Sequence, residues 1–323
     1  MKKMMRATAL LLTAAMMMTG CGGGSDDAAS GDAAYKVGIV QQMEHAALDA
    51  ATQGFQDKLT ELLGDDVVFD YQNAQGEQTN CTTIATKFVS DGCDLIMANA
   101  TTALQSAAAA TADIPIVGTS VTDYVTAGVA DSNEAPGRNV TGASDLAPID
   151  EQISMLTELV PDAKKVGIVY CSAEPNSIYQ AELAEKYLQS LDRDYAVYTV
   201  ADSNEIQAVM TTAVGECDAV YIPTDNTLAN NMEIVKNVTV PAGVPSFGGA
   251  EQMCAEGALS TLSISYYDLG VRAGEMAYEI LVNGANPAEM PIEFVSEGII
   301  PKYNPEIAEA LGVTVPEGMT AVE

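Results

Sequence analysis

Six short stretches of this 323-residue chain hold the side chains best suited to meeting a ligand: QQMEH (41–45), NATT (99–102), TSVTD (119–123), CSAEPNS (171–177), PTDNT (223–227) and GAE (249–251). They are rich in hydroxyls, amides and carboxylates, groups that replace a small polar solute's water shell with fixed hydrogen bonds. The candidate contacts within them are His45, Thr101, Thr102, Thr122, Asp123, Ser172, Ala173, Asn176, Ser177, Asp225, Asn226 and Gly249. Asp225 is placed either to accept from a ligand ammonium, a bond of roughly 1.5–3 kcal/mol, or to cap the helix that begins near Thr227. Thr101 and Thr102 precede an alanine-rich helix, so they either hold a carboxylate or cap that helix, and the two roles are compatible. Ser172, Asn176 and Ser177 form a similar polar cluster. His45, the only histidine, is either a ligand contact or a polar capping residue.

Other chemistries find less support. Beyond His45 no serine or cysteine has a second histidine and carboxylate set with which to form a triad, so nucleophilic hydrolysis has little support. Gly38 lies inside an apolar run with no G-x-G-x-x-G after it, which removes the dinucleotide reading. Cys81, Cys93, Cys171, Cys217 and Cys254 offer no CxxC spacing and, beside a lone histidine, no zinc site. They read as buried thiols. An enzyme would have to use Glu44 with Asp225, or Glu174 with Asp123, as its acid–base pair. No cofactor and no metal are expected.

The elements that position these loops are written twice. KVGIV (36–40) recurs as KVGIV (165–169), CDLIM (93–97) as CDAVY (217–221), and IPIVG (114–118) as VPSFG (244–248), at offsets of 129, 124 and 130 residues. Three matches in one order at nearly constant spacing mean two copies of one α/β unit. In the first copy Leu48, Ala51, Phe55, Leu59 and Leu62 fall on one helical face. Thr79 is placed to cap the next helix, and residues 102–112 form a third. In the second copy Tyr179, Leu183, Tyr187 and Leu191 mark a helix, and 228–237 another. Short apolar strands alternating with helices predict two doubly wound lobes with parallel sheets.

The surplus beyond the two units resembles the type I periplasmic-binding-protein architecture, in which the chain crosses between lobes three times. The resemblance implies residues 35–144 and 264–290 in lobe 1, residues 145–263 and 291–323 in lobe 2, and a ligand cleft between them.

The N-terminus reads as an export signal. Lys2, Lys3 and Arg6 precede an apolar run (7–18) too short to span a bilayer, followed by Thr19-Gly20-Cys21 and a Gly/Ser/Asp/Ala stretch. This resembles the bacterial lipoprotein pattern, with Met18 where leucine is usual. Residues 1–20 are then a signal peptide, Cys21 the lipid attachment point and sole membrane contact, and 21–34 a flexible tether. Of 14 basic residues three lie before Cys21, leaving 11 against 45 acidic. So acidic a chain repels nucleic acid, and none is expected as a partner.

Finally, the segments VGIVQQMEHAALDAATQGFQD (37–57), FDYQNAQGEQTN (69–80), FVSDGCDLIMANAT (88–101), DIPIVGTSVTD (113–123), NVTGASD (139–145), VYIPTDNT (220–227) and SISYYDLG (263–270) resemble the ABC-transporter substrate-binding lipoprotein family typified by tryptophan/tyrosine-binding proteins. That resemblance implies a monomeric, non-catalytic protein that delivers a small amino acid to an ABC permease with its ATPase. Aromatic ligands are implied first and branched-chain ones second. The family's EHPALD and ATPAAQ stretches appear here with Ala46 and Thr102 for proline and Leu104 for alanine. Its PTDN stretch is intact, which favours Asp225 for the ligand's amino group, with Thr101, Thr102, Ser172 and Ser177 for the carboxylate. Tyr124 and Tyr170 are either ring contacts or core packing. The same fold would also serve a sensory subunit.

Overall fold

The computed structural model describes residues 33–295 and 299–322. Cys21, the signal peptide and all but the last two tether residues lie outside the described residues.

Apolar runs bounded by Gly, Pro and Asp become strands wherever both faces are covered by helices. The first copy runs β1 (Tyr35–Gln41), α1 (Ala46–Leu63), β2 (Val67–Asn73), α2 (Gln78–Ser90), β3 (Leu95–Asn99), α3 (Thr101–Ala110), β4 (Ile116–Val121) and β5 (Val140–Ser144). The second runs α4 (Ile149–Leu159), β6 (Lys165–Cys171), α5 (Pro175–Ser190), β7 (Asp194–Val200), α6 (Ile206–Glu216), β8 (Ala219–Ile222), α7 (Asn226–Ala229), α8 (Met232–Ala242), β9 (Ser246–Gly248), α9 (Glu251–Glu256) and β10 (Ser260–Ser263). The chain then makes α10 (Tyr266–Leu281), β11 (Glu293–Phe294), β12 (Ile300–Tyr303), α11 (Pro305–Leu311) and β13 (Thr320–Ala321).

The six-stranded sheet has the order β11-β5-β4-β3-β1-β2, and the seven-stranded sheet β13-β12-β10-β9-β8-β6-β7. Their cores, 2-1-3-4-5 and 7-6-8-9-10, are the same doubly wound pattern, as the repeat requires. Every pairing is parallel except β10 with β12. The chain crosses between sheets after β5, after β10 and between β11 and β12.

The close packing of α1 on α10 fixes the first lobe's cleft-facing loop. A Cβ on Gly270 would lie 1.9 Å from the Ala51 carbonyl oxygen, and one on Gly54 2.1 Å from that of Tyr267. Only glycine lets the two helix backbones approach so nearly. Phe55 and Leu59 of α1 are fully buried with Ala273, Met276 and Ala277 of α10. Burial of each large side chain contributes about 1.5–3 kcal/mol.

Several local expectations are corrected. The division at 290/291 falls later, because Glu293 and Phe294 pair with Ala143 and Ser144 in the first sheet. A two-residue strand carries too little pattern to read. Thr79 does not cap α2; Glu77 holds that position and Thr79 lies inside the helix. The helix expected at 228–237 is two, broken at Asn230 and Asn231. Leu62 is exposed despite its helical spacing. Tyr124 is fully buried, its hydroxyl donating to the Ala143 carbonyl, and Tyr170 packs against the second lobe's core, so both are structural.

Candidate functional site

In doubly wound sheets the loops after the strands collect at one edge, beside the helix N-termini. Here that edge of each sheet faces the other, and an inner pocket lies where they meet. Its wall includes His45, Leu48 and Ser120 from the first lobe, Asn176, Thr224, Asp225, Asn226 and Met253 from the second, and Asp145 and Tyr266 from the crossing segments. In this arrangement the pocket is nearly closed, its cavity volume about 10 Å³, room for little more than one water, so a ligand enters only as the lobes part.

Two hydrogen bonds join the lobes at this level. His45 Nε2 lies 3.2 Å from Asn226 Oδ1, and Gln180 Nε2 donates to Thr122 Oγ1 at 3.1 Å. Ala47 and Ala51 of α1 pack against the apolar cluster of the second lobe. Burial pushes the His45 imidazole below its ordinary pKa, against the opposing pull of its Asn226 bond and of the Asp49 and Glu174 charges.

The second lobe's acidic residues are already held by the protein. Asp225 Oδ1 accepts from the Leu228 N–H at 2.8 Å as the cap of α7, and Oδ2 from the Cys171 N–H at 2.6 Å. Glu174 accepts from both N–H and side chain of Asn226 and of Thr227. The α7 N-terminus is thus filled by an internal carboxylate. Asp225 is fully buried and its pKa is raised, first by loss of water and next by the Glu174 charge.

Asp145, just past β5, is a second buried carboxylate with a raised pKa, again from loss of water. Thr122 Oγ1 donates to its Oδ1 at 3.1 Å and the Tyr266 hydroxyl to its Oδ2 at 2.9 Å. Among the described residues no cation pairs with it.

Three buried polar atoms of wall residues have no partner among the described residues: His45 Nδ1, Ser120 Oγ and Asn176 Oδ1. Such atoms cost about 1–3 kcal/mol each when left unpaired, so a ligand that pairs them gains what the empty fold forfeits. Ser120 is also held at φ +55°, beside an irregularity in the β4–β5 register. Ala100, the N-cap of α3, has φ +84°. Strained non-glycine residues at cleft-facing loops fit a site imposed by the surrounding structure.

Of the twelve candidates, His45, Asn176, Asp225 and Asn226 line the inner pocket. Thr102 and Ala173 line a wider outer cleft between the lobes, together with Gln42, Gln105 and Asn231. Thr101 is buried with its hydroxyl unpartnered, while the Thr102 N–H donates to Gln42 Oε1 at 3.3 Å. Thr122 is tied to Asp145 and Gln180, and buried Ser177 accepts from Asn176 Nδ2. The other three serve elsewhere: Asp123 accepts from the Thr126 N–H in a surface turn, exposed Ser172 bonds the Val200 carbonyl, and Gly249 permits close passage of the 223–224 backbone. Neither acid–base pair survives with a free partner at its centre. Glu44 is exposed, both oxygens of Glu174 already hold donors, and Asp123 accepts through Oδ1 in its surface turn, outside the inner pocket. Among the described residues no group of three His, Cys, Asp or Glu side chains is placed to hold a metal. Ser120, Asp145, Thr224 and Tyr266 were missed as contacts. The only sequence signal was their presence in segments already singled out, the TSVTD, PTDNT, NVTGASD and SISYYDLG stretches.

The comparisons agree with this geometry. The sequence model described as ABC transporter substrate binding protein matches residues 36–322. A tyrosine-binding protein of Clostridioides difficile is 38% identical over 264 residues, 81% of this chain and 76% of that protein. The ABC domain in complex with L-Trp from Streptococcus pneumoniae superposes with a TM-score of 0.85 at 33% identity, covering 88% of this chain and 99% of that one. The ligand-free, open structure of a substrate binding protein with adhesive properties from Clostridium difficile superposes at 0.70 and 36% identity, covering 90% and 99%. The fold is that of type I periplasmic binding proteins, and no helix among the described residues is long and apolar enough to cross a membrane. Two lobes on one pattern, a pocket walled by both, and a match along almost the whole folded chain lead to one assignment: this chain belongs to the ABC transporter substrate-binding protein family.

Proposed function

We propose that the protein is the lipid-anchored binding component of an ABC importer and that its ligand is one aromatic α-amino acid, held in the inner pocket. The observation that carries the reading is the set of unpartnered buried atoms on the pocket wall: His45 Nδ1, Ser120 Oγ and Asn176 Oδ1. The ammonium falls to Asn176 Oδ1 and the Asp145 and Asp225 carboxylates. The carboxylate falls to the Ser120 hydroxyl on the pocket wall, on the side of the α3 N-terminus, which, unlike that of α7, holds no internal acid. Leu48, Met253 and Tyr266 supply an apolar wall for the side chain. A tyrosine-binding relative and a neighbour solved with L-Trp support the aromatic preference. At similar identity the chain overlays better on the L-Trp complex (0.85) than on the open, ligand-free structure (0.70), as a clamp in its closed arrangement would.

ABC substrate-binding proteins work outside the cytoplasm. A lipid on Cys21 would keep this one, as a monomer, beside its permease and ATPase. The test is isothermal titration of a Cys21→Ser protein starting at residue 21 against the twenty amino acids. One molecule of tyrosine, tryptophan or phenylalanine is expected to bind per chain at micromolar affinity or tighter. Preference for leucine or isoleucine would overturn the aromatic assignment, and binding of none would overturn the amino-acid reading.

A further inference from the structure

The polarity of the inner pocket traces to a side chain that does not line it. Glu174 is 4% exposed, just before α5. Its Oε1 accepts from the N–H and hydroxyl of Thr227, at 2.8 and 2.7 Å. Its Oε2 accepts from the N–H and Nδ2 of Asn226, at 3.0 and 2.7 Å, and from Asn176 Nδ2 at 3.2 Å. A carboxylate only accepts, so both amides must turn their NH₂ groups to Glu174 and their oxygens away.

For Asn176 the orientation is fixed twice, since Nδ2 also donates to the Thr224 carbonyl at 3.1 Å. Its Oδ1 remains buried and unpartnered in a residue of the pocket wall that is 7% exposed. For Asn226 the oxygen is the atom that meets His45 Nε2. An oxygen there demands a donor, so Nε2 carries the proton. In a neutral ring Nδ1 is then a bare acceptor, and it too is buried without a partner.

We propose that Glu174 is a positioning residue that sets the inner pocket's hydrogen-bond polarity. It orients Asn176 directly and the His45 tautomer through Asn226, so that the wall presents acceptors to a ligand's primary ammonium. This rests on the reading of the ligand as an amino acid. Of the nearby hydroxyls, Thr122 and Tyr266 already give their protons to Asp145, and Ser120, whose hydroxyl is without a partner, is the donor left for the ligand's carboxylate. A ligand ammonium brings three donors to this wall. The 2-hydroxy acid of the same shape brings one, and rejection of such analogues follows from acceptors left unpaired.

The chain's single histidine makes the test direct. In ligand-free protein labelled with ¹⁵N-histidine, one imidazole is expected, with Nε2 protonated and Nδ1 bare. Glu174→Gln can donate as well as accept, so it should release Asn226 and give a mixed or reversed tautomer. The preference for an aromatic amino acid over its 2-hydroxy acid should fall at least tenfold in that variant. If Glu174→Gln does not fold, Asn226→Leu removes the oxygen that faces His45 along with the Nδ2 bond to Glu174, keeps the backbone N–H bond to Glu174, and should give the same tautomer loss. A proton on Nδ1 in the unmodified protein would overturn the proposal, as would an unchanged tautomer and amine preference in Glu174→Gln. Failure of all amino acids to bind would sink the functional reading, and the tautomer of the ligand-free protein would still decide the part played by Glu174.

Discussion

Asp145→Asn separates a ligand-binding carboxylate from a structural one. Asparagine keeps the shape and one acceptor oxygen, and the two partners, Thr122 Oγ1 at 3.1 Å and the Tyr266 hydroxyl at 2.9 Å, can each accept as well as donate. The pocket wall therefore tolerates the change. What disappears is a buried charge with no cation beside it. In the ligand complex that charge makes a charge-assisted bond to the ammonium, worth about 1.5–3 kcal/mol. At about 1.4 kcal/mol per factor of ten, amino-acid affinity should fall about 10- to 150-fold. The ligand-free protein should be no less stable at neutral pH, because an uncompensated buried charge is gone. Titration calorimetry reads the first quantity and a thermal melt without ligand the second. Affinity within twofold of the unmodified protein, together with a lowered Tm, would refute the reasoning and make Asp145 a structural residue of the crossing segment.

The pH dependence has a definite sign. Burial raises the Asp145 pKa, so its contribution is fully present below the ordinary aspartate value of about 3.9 and is lost as pH rises through the raised one. His45, with a lowered pKa, contributes in the opposite sense: its share is present above the ordinary histidine value and lost as pH falls through the lowered one. The ligand-free Tm of the unmodified protein should therefore fall relative to Asp145→Asn as pH climbs from the acid side, and parallel curves would contradict this. Gly270→Ala drives a Cβ to within 1.9 Å of the Ala51 carbonyl oxygen, which should cost about 1–3 kcal/mol or more as α1 and α10 separate. Gly215→Ala in α6 meets nothing within 4 Å and should be neutral or stabilising by about 0.5–1 kcal/mol; equal Tm values for the two variants would undo the packing argument. Cys21→Ser should abolish metabolic labelling with a fatty acid and release the protein from the membrane fraction, and retention there would exclude the lipid anchor.

Buried parallel strands are written locally, and so most of the fold was legible. KVGIV and its copy became β1 and β6, interior strands next to one edge in equivalent places, because a strand covered on both faces needs an unbroken apolar run. The exceptions lacked local pattern. β11 is two residues long, and the break between α7 and α8 falls at two asparagines that a helical spacing absorbs without penalty in the sequence.

The site was legible as loops and not as roles. His45, Asn176, Asp225 and Asn226 meet at one wall because each follows a strand of a doubly wound sheet. Whether an oxygen there is free or already bonded depends on neighbours from distant parts of the chain. Asp225, readable from the sequence as either an ammonium acceptor or a helix cap, caps α7 and holds the Cys171 N–H as well. Asp145 entered only as the last residue of the NVTGASD stretch and stands in the pocket wall, where Tyr266, 121 residues on, brings its hydroxyl to it. Glu174 carries the point furthest. It touches the pocket nowhere, yet by receiving two amide NH₂ groups it decides which atoms of Asn176, Asn226 and His45 are left to meet a ligand. The same Asn and His residues with their amides and ring reversed would line the same volume and favour an anion in place of an ammonium. Selectivity in this pocket therefore resides in the orientation of its side chains, which a sequence states only through the residue that enforces it.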